Sequence, residues 1–331
     1  METKRNLWYF GLEPLKERYT HQLSEIWMPE TFKDKDVNFI SLKPNYLTEK
    51  ISTGFVLDST GRGIYSMLQC EILLNHIRVG NVQNDDIIFL QDFWTPGFES
   101  ILYALHLAGI KVKIYSMLHA QSVDEYDFTH GMKNWMRHFE LGLDEAHSGI
   151  FVGSTIHKDQ LRQAGFKAPI HVVGLPIHKS FVSLSEHHYE KENIVIFSSR
   201  FDKEKNPFFL IEVAKRFLQF NPDWKFIVTT SADVLRSSIS SVPEVFKAFA
   251  REQPNFVIKE SISKSEYYEI LQRAKIQFNC SLQDYVSWTM LEASYFDCGL
   301  IYPNFRSFPE ILEDKNLYKA FDVNDAVSTL C

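Results

Sequence analysis

Short apolar runs alternate with longer amphipathic stretches along this whole chain, and that alternation leaves few folds open. Leu7–Phe10, Val37–Ser41, Ile87–Leu90, Val112–Tyr115, Gly149–Val152 and His171–Val173 are short and bounded by turn-forming or charged residues. Helical patterns such as Gly63–His76, Gly97–Leu107 and Lys133–Leu141 lie between them. Parallel strands need long crossovers, and crossover helices cover the sheet, so regular alternation predicts parallel sheets buried on both faces. The pattern breaks at Lys179–Asn193, where Ser, His, Glu and Lys dominate, and this stretch reads as a linker. Alternation then restarts with Ile194–Ser198, Lys225–Thr229, Asn255–Lys259, Ile276–Asn279 and Leu300–Tyr302, separated by helical patterns that include Pro207–Phe220, Ser265–Ala274 and Thr289–Phe296. A chain of 331 residues exceeds one ordinary core. The expected fold is α/β, with two Rossmann-like doubly wound domains, 1–180 and 181–331, facing a cleft.

Composition narrows the function classes. A formal net charge of −7 argues against a protein that simply coats nucleic acid, which needs a Lys/Arg excess. No apolar run reaches the ~18 residues that span a bilayer, so no membrane partner is expected. Cys70, Cys280, Cys298 and Cys331 are scattered without zinc-ligand spacing, which suits free thiols in a reducing cytoplasm and no metal.

In open α/β sheets, ligands sit beyond the carboxyl ends of the strands. In the second domain, Ser198-Ser-Arg200-Phe-Asp-Lys-Glu-Lys205-Asn-Pro207 follows a strand and precedes a helix, so Arg200 and Lys205 are placed to hold a diphosphate and stabilise a departing nucleotide. Further on, Asp284 sits in a loop after a strand. A helix begins near Ser287-Trp288-Thr289, whose free N–H groups suit phosphate, and Glu292 lies one turn inside it. Both acids are placed to accept hydrogen bonds from hydroxyls of a sugar or a ribose.

These motifs resemble the GT-B-fold glycosyltransferases of the large retaining class. That family carries an acid-x7-acid motif, commonly Glu-Gly-Phe-Gly followed by Glu-Ala, where this chain has Asp284 to Glu292-Ala293. It also carries an Arg-to-Lys spacing like that of Arg200 and Lys205. Ser281-Leu282, Cys298-Gly299 and Phe308-Pro309-Glu310-Ile311 match the family's run as well. The resemblance implies a nucleotide-diphosphate sugar as donor substrate, no required cofactor or metal, and transfer with retention of configuration. It implies that Asp284 contacts the transferred sugar and Glu292 the ribose. The family's glycines are replaced, so Tyr285 and Ser287 are expected to reshape the sugar pocket toward an uncommon sugar such as the pentose arabinose, with glucose as the ordinary choice.

In the first domain, His119 follows a strand where the family often places a His against the donor sugar; the other reading is a structural His in a loop. Gly11, Glu13 and Arg18 follow the first strand, where the family's loop approaches acceptor and diphosphate, or else form an ordinary turn with solvated charges. Asp58 to Gly63, with Arg62, and Asp92 to Gly97 also lie between strand and helix and could line an acceptor groove. Gly11-Leu-Glu-Pro-Leu with Arg18-Tyr-Thr20 is similar to glycosyltransferases of large tailed bacteriophages, which implies double-stranded DNA bearing 5-hydroxymethylcytosine as acceptor, within the host cytoplasm. Lys16, Arg18, Tyr19, Arg62, Trp94, Lys133, Trp135 and Arg137 could hold phosphates and a flipped base. The plainer reading of Lys133–Arg137 is a helix packing Trp135 or Met136 inward. The alternatives are a saccharide or small-molecule acceptor, a nucleotide-sugar epimerase, or a sugar-nucleotide-binding protein. Family members also continue with a helix that returns to the first domain, so the ending at Cys331 suggests a compact variant or a shortened chain.

Overall fold

A computed structural model describes residues 4–15, 18–46, 59–119, 121–177 and 189–331. Lys16, Asp58 and residues 179–188 of the expected linker lie outside the described residues. The chain divides into two compact units, Met1–His178 and Lys179–Cys331.

The first unit runs β1 (Arg5–Phe10), α1 (Tyr19–His21), a π-helical turn (Gln22–Trp27), α2 (Met28–Phe32), β2 (Val37–Ser41), α3 (Ser59–Arg78), β3 (Ile87–Leu90), α4 (Phe98–Ala108), β4 (Lys113–Met117), α5 (Lys133–Asp144), β5 (Gly149–Val152), α6 (Thr155–Gln163) and β6 (Ile170–Val172). All six strands are parallel, in the order β2-β1-β3-β4-β5-β6. Leu7, Trp8, Tyr9 and Phe10 are all buried. A strand covered on both faces needs apolar residues at every position, which is why this run does not alternate. Strand order reverses direction between β1 and β3, so the loops after those two strands part and open a crevice at the carboxyl edge.

The second unit repeats the plan with β7 (Glu192–Phe197), α7 (Pro207–Phe220), β8 (Lys225–Thr229), α8 (Val242–Glu252), β9 (Phe256–Lys259), α9 (Lys264–Arg273), β10 (Ala274–Phe278), α10 (Trp288–Tyr295), β11 (Gly299–Asn304), α11 (Phe308–Ile311), β12 (Leu317–Lys319) and α12 (Val323–Leu330). Its parallel order is β12-β11-β10-β7-β8-β9, and the reversal falls between β7 and β10. Phenylalanines fill its core: Phe226 meets Phe217, Phe256 and Phe278 with ring centroids 6.5, 6.1 and 6.1 Å away. Such aromatic pairs add attraction beyond the area they bury.

The expected α/β class with two doubly wound sheets is the observed one. Some boundaries move: the fourth strand runs Lys113–Met117, two residues past the expected Tyr115, and Ala274 begins β10 instead of ending α9. The last residues of the expected linker, Glu192 and Asn193, already belong to β7. Among the described residues, no helix is long and apolar enough to cross a membrane.

Candidate functional site

In the second unit the parted loops follow β7 and β10. Phe201 turns into the core, 5.3 Å from Phe246, and anchors the β7 loop. A single 3-10 turn, Lys203–Lys205, follows and ends at Asn206, whose φ of 51° is left-handed. Asn tolerates that conformation, and Pro207 then starts α7 at a position where its missing N–H costs nothing. The β10 loop is stitched to this turn, since Leu282 N donates to Glu204 O at 2.8 Å and Cys280 Sγ to Lys205 O at 3.2 Å. The stitching aims Lys205 across the crevice: its Nζ donates to Asp284 Oδ1 at 2.5 Å and Ser281 Oγ at 3.1 Å. Lys205 is only 7% exposed, so it is not the solvent-facing cation that its sequence position suggests. Arg200 reaches Glu204 Oε1 at 2.7 Å and Asp202 Oδ2 at 3.5 Å. Asp202 also takes Ser238 N at 2.7 Å. Both cations expected to grip a diphosphate thus already grip carboxylates, in pairs that an incoming anion can compete for.

Ser287 precedes α10 and makes no side-chain cap, so the first N–H groups of the helix are not satisfied in that way. Its hydroxyl instead lies 2.8 Å from that of Thr289. Nearby, the side chains of Asn279 and Tyr302 are fully buried beside this pair. Burial drives the Tyr302 hydroxyl well above the ordinary tyrosine range, which keeps it a neutral donor beside Ser287 and Thr289. Trp288, the first residue of α10, is half-buried.

Glu292 is more deeply buried than Asp284. It is 2% exposed and pairs with Lys264, while Tyr268 Oη donates to its Oε1 at 3.3 Å. Lys264 Nζ lies 4.9 and 5.0 Å from the ring centroids of Tyr267 and Tyr268, close enough for cation–π attraction. Sequence reasoning missed Lys264. The signal was present, because Ser263 and Glu266 form a capping box directly after β9 and so fix a lysine at the first helical position.

Tyr285, expected to bulk out the sugar pocket, is 5% exposed and packs beneath Arg306. The Arg306 guanidinium lies 5.7 Å from its ring centroid and donates to its hydroxyl at 3.4 Å. Arg306 holds a φ of 50°, and the adjacent Ser307 Oγ donates to Asp284 O at 3.1 Å. A side chain in the left-handed region costs about 1–3 kcal/mol where glycine costs nothing. Arg306→Gly is therefore expected to keep or raise the melting temperature despite the lost ring contact. A fall of more than about 5 °C would show that the contact outweighs the strain.

In the first unit, part of the expected set converges on the β1/β3 crevice. Arg62 donates to Ser66 Oγ at 2.5 Å and to Trp94 O at 3.3 Å, and Asp92 Oδ1 accepts Trp94 N at 3.1 Å. His119 Nε2 lies 2.9 Å from Gln91 O; a carbonyl only accepts, so the proton is on Nε2 and Nδ1 is left as an acceptor. The close approach at Gly11 is internal: a Cβ there would meet Tyr9 Cε1 and Ser24 Oγ, both at 3.1 Å. Glu13 is fully buried, not a solvated turn charge, and Arg18 stands at the start of α1.

Burial pushes His119 and the core residue His147 below the usual histidine value of 6.5. The unfolded chain binds protons below pH 6.5 that the folded chain refuses, so stability is present above that value and is lost as pH falls toward the folded values. Thermal melts should show a lower midpoint at pH 5.5 than at pH 7.5, with a smaller difference in His147→Asn. An unchanged pH dependence in that variant counts against this assignment. Among the described residues, no group of three or more His, Cys, Asp or Glu could hold a metal ion.

Residues 182–328, nearly all of the second unit, match the family model described as glycosyl transferases group 1. With its two parallel six-stranded sheets, the chain has the GT-B fold. It is similar to sucrose-phosphate synthase from Thermosynechococcus elongatus, at 12% identity and a TM-score of 0.64, over 99% of this chain and 89% of that one. It is also similar to TarM of S. aureus, solved with Fondaparinux, alpha-GlcNAc-glycerol and UDP, at 15% identity and a TM-score of 0.58, over 80% of this chain and 51% of that one. The pneumococcal O-GlcNAc transferase GtfA, solved with UDP and GlcNAc, matches at 12% identity and a TM-score of 0.56, over 78% of this chain and 52% of that one. The chain thus spans about half the length of TarM and GtfA. None of the curated proteins matches it.

Proposed function

We propose that this chain transfers a sugar from a nucleotide-diphosphate donor to an acceptor hydroxyl, with retention of configuration. The observation that carries this reading is the Lys205–Asp284 pair across the β7 and β10 loops, inside the segment that matches the glycosyltransferase family. The donor diphosphate takes the place of Asp284 on Lys205 and of Glu204 on Arg200. Asp284, released, accepts hydrogen bonds from the sugar, while Ser287, Trp288 and Thr289 present the α10 start to phosphate and Glu292 accepts from the ribose. The bond from the anomeric carbon to phosphate oxygen breaks, the bond to the acceptor oxygen forms, and the acceptor's proton passes to the leaving phosphate. Arg200, Lys205 and the helix start stabilise the charge that develops there. The family resemblance assigns His119 to the donor sugar, and Gly11, Glu13, Arg18, Arg62 and Asp92 to the acceptor.

UDP is the nucleotide this reading favours, because TarM and GtfA were both solved with it. Saccharide or small-molecule acceptors are favoured over hydroxymethylated DNA, because those structures carry sugar ligands and this chain has a net charge of −7. The test is to incubate the protein with UDP-glucose, UDP-arabinose and UDP-GlcNAc, with and without saccharides or DNA containing 5-hydroxymethylcytosine. Acceptor-dependent UDP release and a product with the donor's anomeric configuration are expected. Donor isomerised without acceptor would indicate an epimerase, donor bound but unchanged a binding protein, and mass gain confined to the DNA would restore the nucleic-acid acceptor.

A further inference from the structure

The amphipathic stripe of α5 consists of Met136, Glu140, Leu143 and Asp144, all buried. Trp135 falls beside that stripe, and it is 56% exposed although it is the largest apolar side chain of the helix. Of the two inward candidates, only Met136 packs inward. Trp135 sits in the first turn of α5, which follows the β4 loop, so it stands at the carboxyl edge of the sheet with the β1/β3 crevice.

It does not stand alone there. The ring of Trp94, in the loop after β3, meets Trp135 edge-on with centroids 6.0 Å apart and stacks on Phe139 at 5.0 Å. Trp94 Nε1 donates to Glu140 Oε1 at 3.2 Å. The same buried carboxylate accepts Ser122 N at 2.8 Å and Ser122 Oγ at 2.7 Å, which ties the β4 loop to the shelf. The backbone of Trp94 meets Asp92 and Arg62, so the aromatic shelf is continuous with the polar groups of the crevice. At its rim, Lys133 Nζ lies 3.2 Å from His130 Nε2.

We propose that Trp135, braced by Trp94, is a stacking platform for a pyranose ring of a saccharide acceptor. This deepens the proposed transferase function by naming the acceptor class, and it rests on that reading. A pyranose has one face of C–H groups that packs on an aromatic plane and a rim of hydroxyls that suits Lys133, His130 and Asp92. A flat base would also stack on a tryptophan, but a duplex needs free cations along its backbone. The basic residues here are largely committed inward, with Arg62 on Ser66 and the Trp94 carbonyl and Arg137 on the Ala164 carbonyl at 3.0 Å. A neutral saccharide makes no such demand.

The test uses Trp135→Ala and Trp135→Phe in the full chain, with maltohexaose, cellohexaose and chitohexaose followed by saturation-transfer NMR without donor. Wild type should bind at least one of them. Trp135→Ala should weaken that binding about tenfold or more, by analogy with other aromatic stacking platforms. Trp135→Phe should recover part of it, while UDP affinity and the melting temperature stay unchanged. Unaltered saccharide binding in Trp135→Ala, or no binding to wild type, overturns the platform. Binding of hydroxymethylated duplex DNA that depends on Trp135 overturns the saccharide assignment. Because these titrations need no turnover, they can fail while the transferase reading stands, and that reading can fail in the donor assay while they succeed.

Discussion

Lys205→Ala should lower kcat/KM for sugar transfer by about 10²–10³-fold, the range seen when one preorganised charge-stabilising group is removed. Lys205 ties the β7 loop to the Asp284 carboxylate, and it is buried where its charge is weakly screened. The variant also strands Asp284, so a modest loss of stability should accompany the loss of rate. Lys215→Ala is the control, since its exposed pair with Glu212 should change stability by no more than about 0.5 kcal/mol and leave turnover alone. Wild-type transfer by Lys205→Ala would remove the diphosphate from this crevice.

The second large effect is expected at Lys264. Its removal as Lys264→Met leaves the Glu292 carboxylate almost completely buried with only the tyrosines about it. Breaking a buried pair from one side costs about 3–5 kcal/mol, chiefly through the charge left behind. Chemical denaturation should show a large drop in midpoint for Lys264→Met. The double variant Lys264→Met/Glu292→Gln should recover much of it, because a neutral amide needs no counter-charge. Equal losses in the single and double variants would mean that Lys264 acts through its packing on Tyr267 and Tyr268 instead.

The sheets were legible in the sequence because a strand buried on both faces writes itself as an unbroken apolar run, as in Leu7–Phe10 and Ile194–Phe197. The Arg200–Lys205 turn and the Asp284 loop were legible too, since both directly follow such strands. Short or polar elements were not. β12 has three residues, and α6 shows only His157 and Leu161 to the core, too narrow a stripe for periodicity to reveal. The pairing of Glu292 with Lys264 was hidden by their separation of 28 positions along the chain. The exposure of Trp135 was hidden for another reason: the periodicity of α5 alone leaves open which of two neighbouring residues faces in.

Lys205 and Asp284 are expected to exchange partners with a nucleoside diphosphate at the β7/β10 crevice. Calorimetric titration of UDP into wild type, Lys205→Ala and Asp284→Asn measures this exchange. UDP should bind wild type, bind Lys205→Ala at least about tenfold more weakly, as loss of a charge-assisted contact implies, and bind Asp284→Asn as tightly or more tightly, because the competing carboxylate is gone. No binding to wild type, equal binding to Lys205→Ala, or weaker binding to Asp284→Asn would contradict it.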